Sequence, residues 1–211
     1  MLTTYAQSSA PVESALRTTS WRPLRGPAFA VALALGFLLS GLSMVPAQGQ
    51  TINREYPLKA AFLYNFANYI EWPVDVFPTA HAPFIIGVLG PDPFGSILDE
   101  LTKKTIRGRP IVYRHYDSPR DIGECHLLFI SVAVSDADCM AAIEATRGRH
   151  VLIVTEANGL ARRGSVINFF VEQNKLRFEI NPHAAQQRAL RISSKLLSLA
   201  RLVEPSKVVG P

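Results

Sequence analysis

From residue 56 onward the apolar positions fall into two kinds of pattern. Leu58, Ala61, Phe62, Phe66, Tyr69 and Ile70 recur at steps of three and four, which predicts a helix opened by Tyr56-Pro57 and ended by Trp72-Pro73. Asn65 sits inside that stripe, where a buried amide requires hydrogen-bond partners. Phe84 to Leu89, His126 to Val132 and Val151 to Val154 are instead short continuous apolar runs, suited to buried strands. Arg109 to Tyr116 alternates and predicts a half-buried strand. Between them, Ile97, Leu98 and Leu101 mark a short helix behind an Asp92-Pro93 cap, and Ser135 or Asp136 caps a helix running to about Arg147.

The C-terminal third adds two strands, Val166 to Val171 and Leu176 to Ile180, joined through Gln173-Asn174 as an antiparallel hairpin. Asn181-Pro182 then opens a long terminal helix. Ala185, Ala189, Ile192, Leu196, Leu199, Ala200 and Val203 form its predicted buried arc, and Arg188, Arg191 and Lys195 line the opposite side. Strands alternating with helices predict an α/β fold with a mostly parallel sheet and helices on both faces. The expected organisation is one domain over 56–204, after a short lead-in at 48–55 and before a tail at 205–211.

The first 47 residues read differently. Arg17, Arg22 and Arg25 precede an uncharged run from Ala28 to Leu39, and Val45-Pro46-Ala47 follows with small side chains at the positions a signal peptidase inspects. This predicts a secretory signal peptide cleaved after Ala47 and a periplasmic mature protein. The alternative is an inner-membrane anchor through residues 28–45, which approaches the roughly 20 residues of a spanning helix only by including Ser40, Gly41 and Ser43. Export would separate the protein from ATP, nicotinamide cofactors and chromosomal DNA. No cofactor is predicted.

Charge adds little. The leader carries three arginines and one glutamate, so its removal lowers the formal charge from +5 to +3. No run of like charges argues for nucleic acid. Cys125 opens a strand and Cys139 falls near the start of the following helix; the two ends of that strand lie roughly 16–20 Å apart, whereas bridged Cα atoms must lie within about 7 Å. Both are predicted unpaired.

Candidate chemistry is sparse. Gly87, Gly90 and Gly95 surround a strand-to-helix turn, but their spacing is neither a dinucleotide fingerprint nor a P-loop. His81, His115, His126, His150 and His183 show no metal-ligand spacing, and Cys125 and His126, being strand neighbours, point to opposite faces. No catalytic or metal site is predicted. Open parallel sheets bind ligands beyond the carboxyl ends of their strands, which makes Asp92, Ser131, Glu156 and Asn158 the candidate rim of a small-molecule site. Arg188, Arg191 and Lys195 are a candidate basic ridge for an acidic partner or lipid headgroups.

Five strings occur in order: Lys59-Ala60-Ala61-Phe62-Leu63-Tyr64-Asn65-Phe66 with Glu71-Trp72-Pro73; Val88-Leu89-Gly90-Pro91-Asp92-Pro93-Phe94-Gly95; Cys125-His126-Leu127-Leu128-Phe129-Ile130; Arg177-Phe178-Glu179-Ile180-Asn181; and Leu190-Arg191-Ile192-Ser193-Ser194-Lys195-Leu196-Leu197. Together they resemble the YfiR family of periplasmic proteins, from about Tyr56 to Val203. The resemblance implies a regulator and not an enzyme: a repressor that binds the periplasmic sensor region of an inner-membrane diguanylate cyclase. It also implies release through an outer-membrane lipoprotein, and a homodimer. In the best-known member of that family, disulfides respond to periplasmic redox state. Here only Cys125 falls at a family cysteine position, and Cys139 stands where the family has an aliphatic residue. Redox sensing therefore does not carry over. The alternative function is a periplasmic small-molecule receptor using the rim.

Overall fold

The continuous apolar runs become the central strands of one curled sheet. The computed structural model describes residues 55–206; the leader, its cleavage at Ala47 and the alternative anchor at 28–45 lie outside the described residues, as does most of the tail. Helix α1 spans Glu55–Tyr69 and runs into β1, Ile70–Glu71. Then come β2 (Phe84–Leu89), α2 (Ser96–Thr102), β3 (Thr105–Ile106), β4 (Arg109–Tyr116), β5 (Leu127–Ile130), α3 (Asp136–Ala145) and β6 (Leu152–Thr155). The chain closes with β7 (Ile167–Glu172), β8 (Lys175–Ile180), α4 (Pro182–Gln187), β9 (Arg191–Ile192), α5 (Ser194–Leu197) and β10 (Arg201–Leu202). The eight-stranded sheet has the order β10-β8-β7-β6-β5-β2-β4-β3. Strands β4, β2, β5, β6 and β7 are mutually parallel, and β7 and β8 form the antiparallel hairpin. Gln173 and Asn174, at its tip, both take positive φ, 50° and 59°, which a two-residue turn of this twist requires.

Because the central strands are buried on both faces, alternate residues feed two cores. Phe84, Ile86, Val88, Leu127, Phe129, Leu152 and Val154 join α1 and α2 on one side. Ile85, Leu89, Leu128, Ile130 and Ile153 join α3 on the other. Helices thus cover both faces. Gly87 points to the α3 side, where a Cβ would lie 2.6 Å from the Tyr116 ring; the glycine makes room for that ring. Gly90, at φ +82°, turns the chain after β2, with Val134 packed over the place a side chain would occupy. Asp92 does not cap α2. It closes a local turn by accepting from Phe94 N–H at 2.8 Å, and the helix starts four residues later with Gly95 as its N-cap.

Two expectations are corrected. The buried stripe of α1 is Lys59, Ala60, Leu63, Phe66 and Ala67, continued by Ile70; Asn65 and Ala61 are exposed and Leu58 is 45% exposed. The helix is rotated so that aromatic packing decides its phase, with Phe66 against Phe169 and Phe178 at ring separations of 5.7 and 5.0 Å. The long terminal helix does not form. The chain leaves α4 at Arg188, passes through Ala189 at φ +53°, and pairs β9 with β1, Ile192 opposite Ile70. A new cap at Ser193 starts α5, and β10 then runs beside β8, so that of the predicted arc only Ala185, Leu196 and Val203 are buried.

Cys125 and Cys139 are both free and buried on the α3 side. Burial pushes the Cys125 thiol up to about 11 and also raises Cys139. His126 faces the other way, stacked between Phe77 and Phe84 at 4.6 and 5.2 Å, with its Nδ1 accepting from Ile85 N–H at 2.9 Å. Burial lowers it to about 4. The folded value lies below the unfolded one, so stability is full above about pH 6.5 and falls as the pH drops toward 4. From pH 7.5 to 5 this single group costs about 2 kcal/mol. Urea unfolding at the two pH values should show that loss, and His126→Asn, which retains an acceptor but cannot charge, should lack it. An equal pH slope in the variant would assign the loss to other groups.

Candidate functional site

The carboxyl ends of β2, β5 and β6 lie side by side, since those strands are adjacent in the sheet. Asp92, Ser131 and Glu156 follow them directly. The loop after β5 is tied to β2 by Ser131 N–H donating to Leu89 O at 3.1 Å. Glu156 is the centre of this edge. Its side chain is only 3% exposed, and its Oε1 accepts from Val132 N–H at 2.8 Å. Its Oε2 accepts from the ammonium of Lys59, which reaches across from α1. Lys59 also donates to Glu55 one helical turn back. The ammonium lies 4.6 Å from the Tyr56 ring centre and 5.9 Å from that of Phe169.

Lys59 is therefore a buried cation held by two carboxylates and two aromatic faces. Burial pulls its pKa down, but the hydrogen bonds to Glu156 and Glu55 outweigh it and the group sits above the ordinary lysine value. The slot where an open parallel sheet would receive a ligand is filled from within by the protein's own side chain.

The other rim residues diverge from this centre. Asp92 is engaged by Tyr113, whose hydroxyl donates to Oδ2 at 3.0 Å; burial, and then Asp92, raise the phenol above its ordinary value. Ser131 is buried, and its Oγ accepts weakly from Ala133 N–H at 3.5 Å. Asn158 is exposed and faces a groove of about 370 Å³ on the hairpin side, beside Asn168 and Glu179. There Thr155 donates to Asn168 at 2.7 Å and Asn168 to Glu179 at 3.2 Å, a polar line across β6, β7 and β8. Glu156 and the Ser131 loop are thus joined, whereas Asp92 and Asn158 belong to separate groups. Among the described residues no three His, Cys, Asp or Glu side chains converge as metal ligands.

The basic ridge is also redrawn. Arg188 is 6% exposed and turned inward. It donates to Thr146 O at 2.8 Å and to Ile143 O at 3.2 Å, closing the C-terminus of α3. Burial, and then Arg147 and Arg149, lower it to about 10. Arg191 and Lys195 remain exposed, but on β9 and α5, so no single helix face carries all three.

Sequence reasoning missed Lys59 because a charged residue was excluded from the apolar arc. The available signal was its spacing: position 59 lies four and seven residues before Leu63 and Phe66, in phase with both. Lys59→Met leaves the Glu156 carboxylate buried without its counter-charge and should cost about 3–5 kcal/mol. Lys59→Met with Glu156→Gln keeps the acceptor for Val132 N–H without the charge and should recover most of that loss in urea unfolding. Equal destabilisation in the single and double variants would show that the ion pair is not what seats the helix.

Among the described residues no helix is long and apolar enough to cross a membrane. No curated protein matches the chain. One solved structure, a conserved domain protein from Vibrio cholerae O1 biovar El Tor strain N16961, aligns with 13% identity and a TM-score of 0.47 over 70% of this chain. The alignment spans 60% of that protein's length. The model of the YfiR/HmsC-like family matches residues 56–201, within which the Lys59 helix, the parallel strands and the capped C-terminal turns all fall, and the chain belongs to that family.

Proposed function

We propose that the mature domain is a periplasmic repressor that binds the periplasmic region of an inner-membrane sensor, a diguanylate cyclase, and holds the enzyme in its inactive state. Family membership over 56–201 supports a regulator. The observation that carries the docking reading is the occupied carboxyl edge. The Glu156 side chain is buried and engaged by Lys59 and Val132, and the exposed Asp92 is engaged by Tyr113 and Phe94, so both carboxylates are turned to internal bonds.

The proposed contact surface is the segment from Arg191 to Leu202. Arg191, whose guanidinium lies 4.0 Å from Glu71, and Lys195 are exposed there, and the same segment carries two outward apolar side chains, Leu199 at 67% and Leu202 at 55%. Apolar anchors within a basic surround suit an acidic partner, with the charges steering approach and setting orientation. Repression then works by population shift. The domain binds the inhibited state of the partner better than the active one, and the difference in affinity limits the control it exerts. An outer-membrane lipoprotein that captures the domain releases the cyclase. A dimeric repressor on a dimeric cyclase would gain by avidity.

Deletion of the gene should raise cyclic di-GMP and matrix production. The double variant Arg191→Glu/Lys195→Glu should fail to complement while keeping wild-type expression and melting temperature. Its affinity for the purified periplasmic region of the cyclase should be weaker by about tenfold or more. Unchanged cyclic di-GMP in the deletion strain overturns the reading.

A further inference from the structure

On the α3 side of the sheet the structure holds a cavity of about 590 Å³. That is within the about 300–1,000 Å³ typical of small-molecule sites. Four arginines line it: Arg147, Arg162, Arg163 and Arg188. No aspartate or glutamate lines it. Apolar surface from Met140 and Ile143 contributes to the wall.

The charge there is only partly compensated. Arg147 is paired with Glu144, and Arg163 with Asp136 at 2.5 Å. Arg162 has no carboxylate partner among the described residues. Arg188 is buried and spends its donors on the backbone carbonyls and hydroxyl at the end of α3, with no carboxylate against it. A solvated basic face would spread its arginines over a convex surface. These four line one concavity, where Arg162 and Arg188 have no carboxylate partner among the described residues and Arg188 is taken out of water; Arg162 also borders the groove of Asn158, Glu172 and Glu179. The local field further disfavours cations, since Arg147 and Arg149 depress Arg188 after burial does. An anion in the cavity would relieve that repulsion.

The position of Arg162 and Arg163 is built in. They end a short 3-10 turn, Leu160–Arg163, bracketed by Gly159 and Gly164, both in the left-handed region at φ 79° and 118°. Ser206 N–H donates to Arg162 O at 2.8 Å, so the last described residues brace the turn from outside.

We infer that this cavity binds a small amphipathic anion: an apolar aromatic or acyl body seated against Met140 and Ile143, with a carboxylate, sulfonate or phosphate group held by Arg162 and its neighbouring arginines. A lining that is apolar at Met140 and Ile143 and cationic at its arginines selects against a bare inorganic ion and against a neutral apolar molecule. Arginine suits the anionic end because its planar fork meets such groups with two parallel hydrogen bonds. The same headgroup chemistry occurs in free metabolites and in membrane lipids, and the test separates the two.

The probe is 8-anilinonaphthalene-1-sulfonate, titrated by fluorescence into the full chain. One saturable site is expected. Arg162→Glu, at an exposed position, should weaken it by at least about tenfold, with unchanged circular dichroism and melting temperature. Arg162→Lys, which keeps the charge, should retain much of the affinity. N-phenyl-1-naphthylamine, the neutral analogue, should show no saturable binding, and inorganic phosphate should not displace the sulfonate at equal concentration. Vesicles of phosphatidylglycerol should not displace it either. Absence of a saturable site, equal affinity in Arg162→Glu, or equal binding of the neutral analogue would each overturn the inference. Displacement by the vesicles would overturn an enclosed ligand in favour of a membrane surface. None of these outcomes depends on whether the domain represses a cyclase.

Discussion

A single buried ion pair seats the first helix on the sheet. Removing the Lys59 ammonium and the Glu156 carboxylate from water costs several kcal/mol each, and their attraction offsets this only because the geometry is complete. The carboxylate also accepts from Val132 N–H, and the ammonium also reaches Glu55 and the faces of Tyr56 and Phe169. What the pair contributes above all is selection. A rotation of α1 by one residue would carry Lys59 toward solvent, bring Asn65 and Ala61 inward, and leave Glu156 buried without its counter-charge. The aromatic contacts of Phe66 with Phe169 and Phe178 favour the same seating, so packing and electrostatics agree on one helix phase.

That seating also shapes the functional edge. In an open parallel sheet, the strand ends around a crossing point present free backbone donors and acidic or hydroxyl side chains. Here Glu156 follows β6, lies next to the loop after β5, and meets a cation supplied by the protein itself. Asp92 meets a neutral donor instead, the Tyr113 hydroxyl. The two carboxylates of the edge are thus turned to internal partners, which moves interest to other surfaces.

How much of this was legible follows from which forces act locally. The central strands could be read directly because burial on both faces demands unbroken apolar runs, as in β2 at Phe84–Leu89, and β4 at Arg109–Tyr116 could be read from its alternation. The hairpin was readable from Gln173-Asn174, whose conformation is set by the turn. The phase of α1 was not, since Lys59 enters the core through a partner 97 residues away that no local pattern reveals. The C-terminal segment failed for a different reason. Its apolar residues do recur at helical spacing, but Ala189 turns left-handed and Ser193 caps a new helix through Leu196 N–H. A serine pair twelve residues after the Asn181 cap was the sign of a second start. The bonds that reward the break, β9 with β1 and β10 with β8, are again non-local.

The break at Ala189 connects two surfaces that a continuous helix would have separated differently. Arg188 lines the basic cavity and fastens the end of α3, while its own carbonyl is held by His150 Nδ1 at 2.9 Å. Three residues later Arg191 stands in solvent on β9, at the start of the segment proposed to meet a partner. Trp72 donates to His150 O at 2.9 Å and packs edge-on against Phe84, so this junction is anchored to the core at its far side. A charge placed beside Arg188 therefore acts on a rigid corner and not on a loose loop. Any change in how that corner sits must be shared with β9 and the residues beyond it. By linkage, an anion that binds better to one position of the corner would alter partner affinity by the same factor by which the partner alters affinity for the anion. The magnitude is bounded by the difference in anion affinity between the two positions, so a tightly bound anion that does not distinguish them would leave the partner surface unchanged.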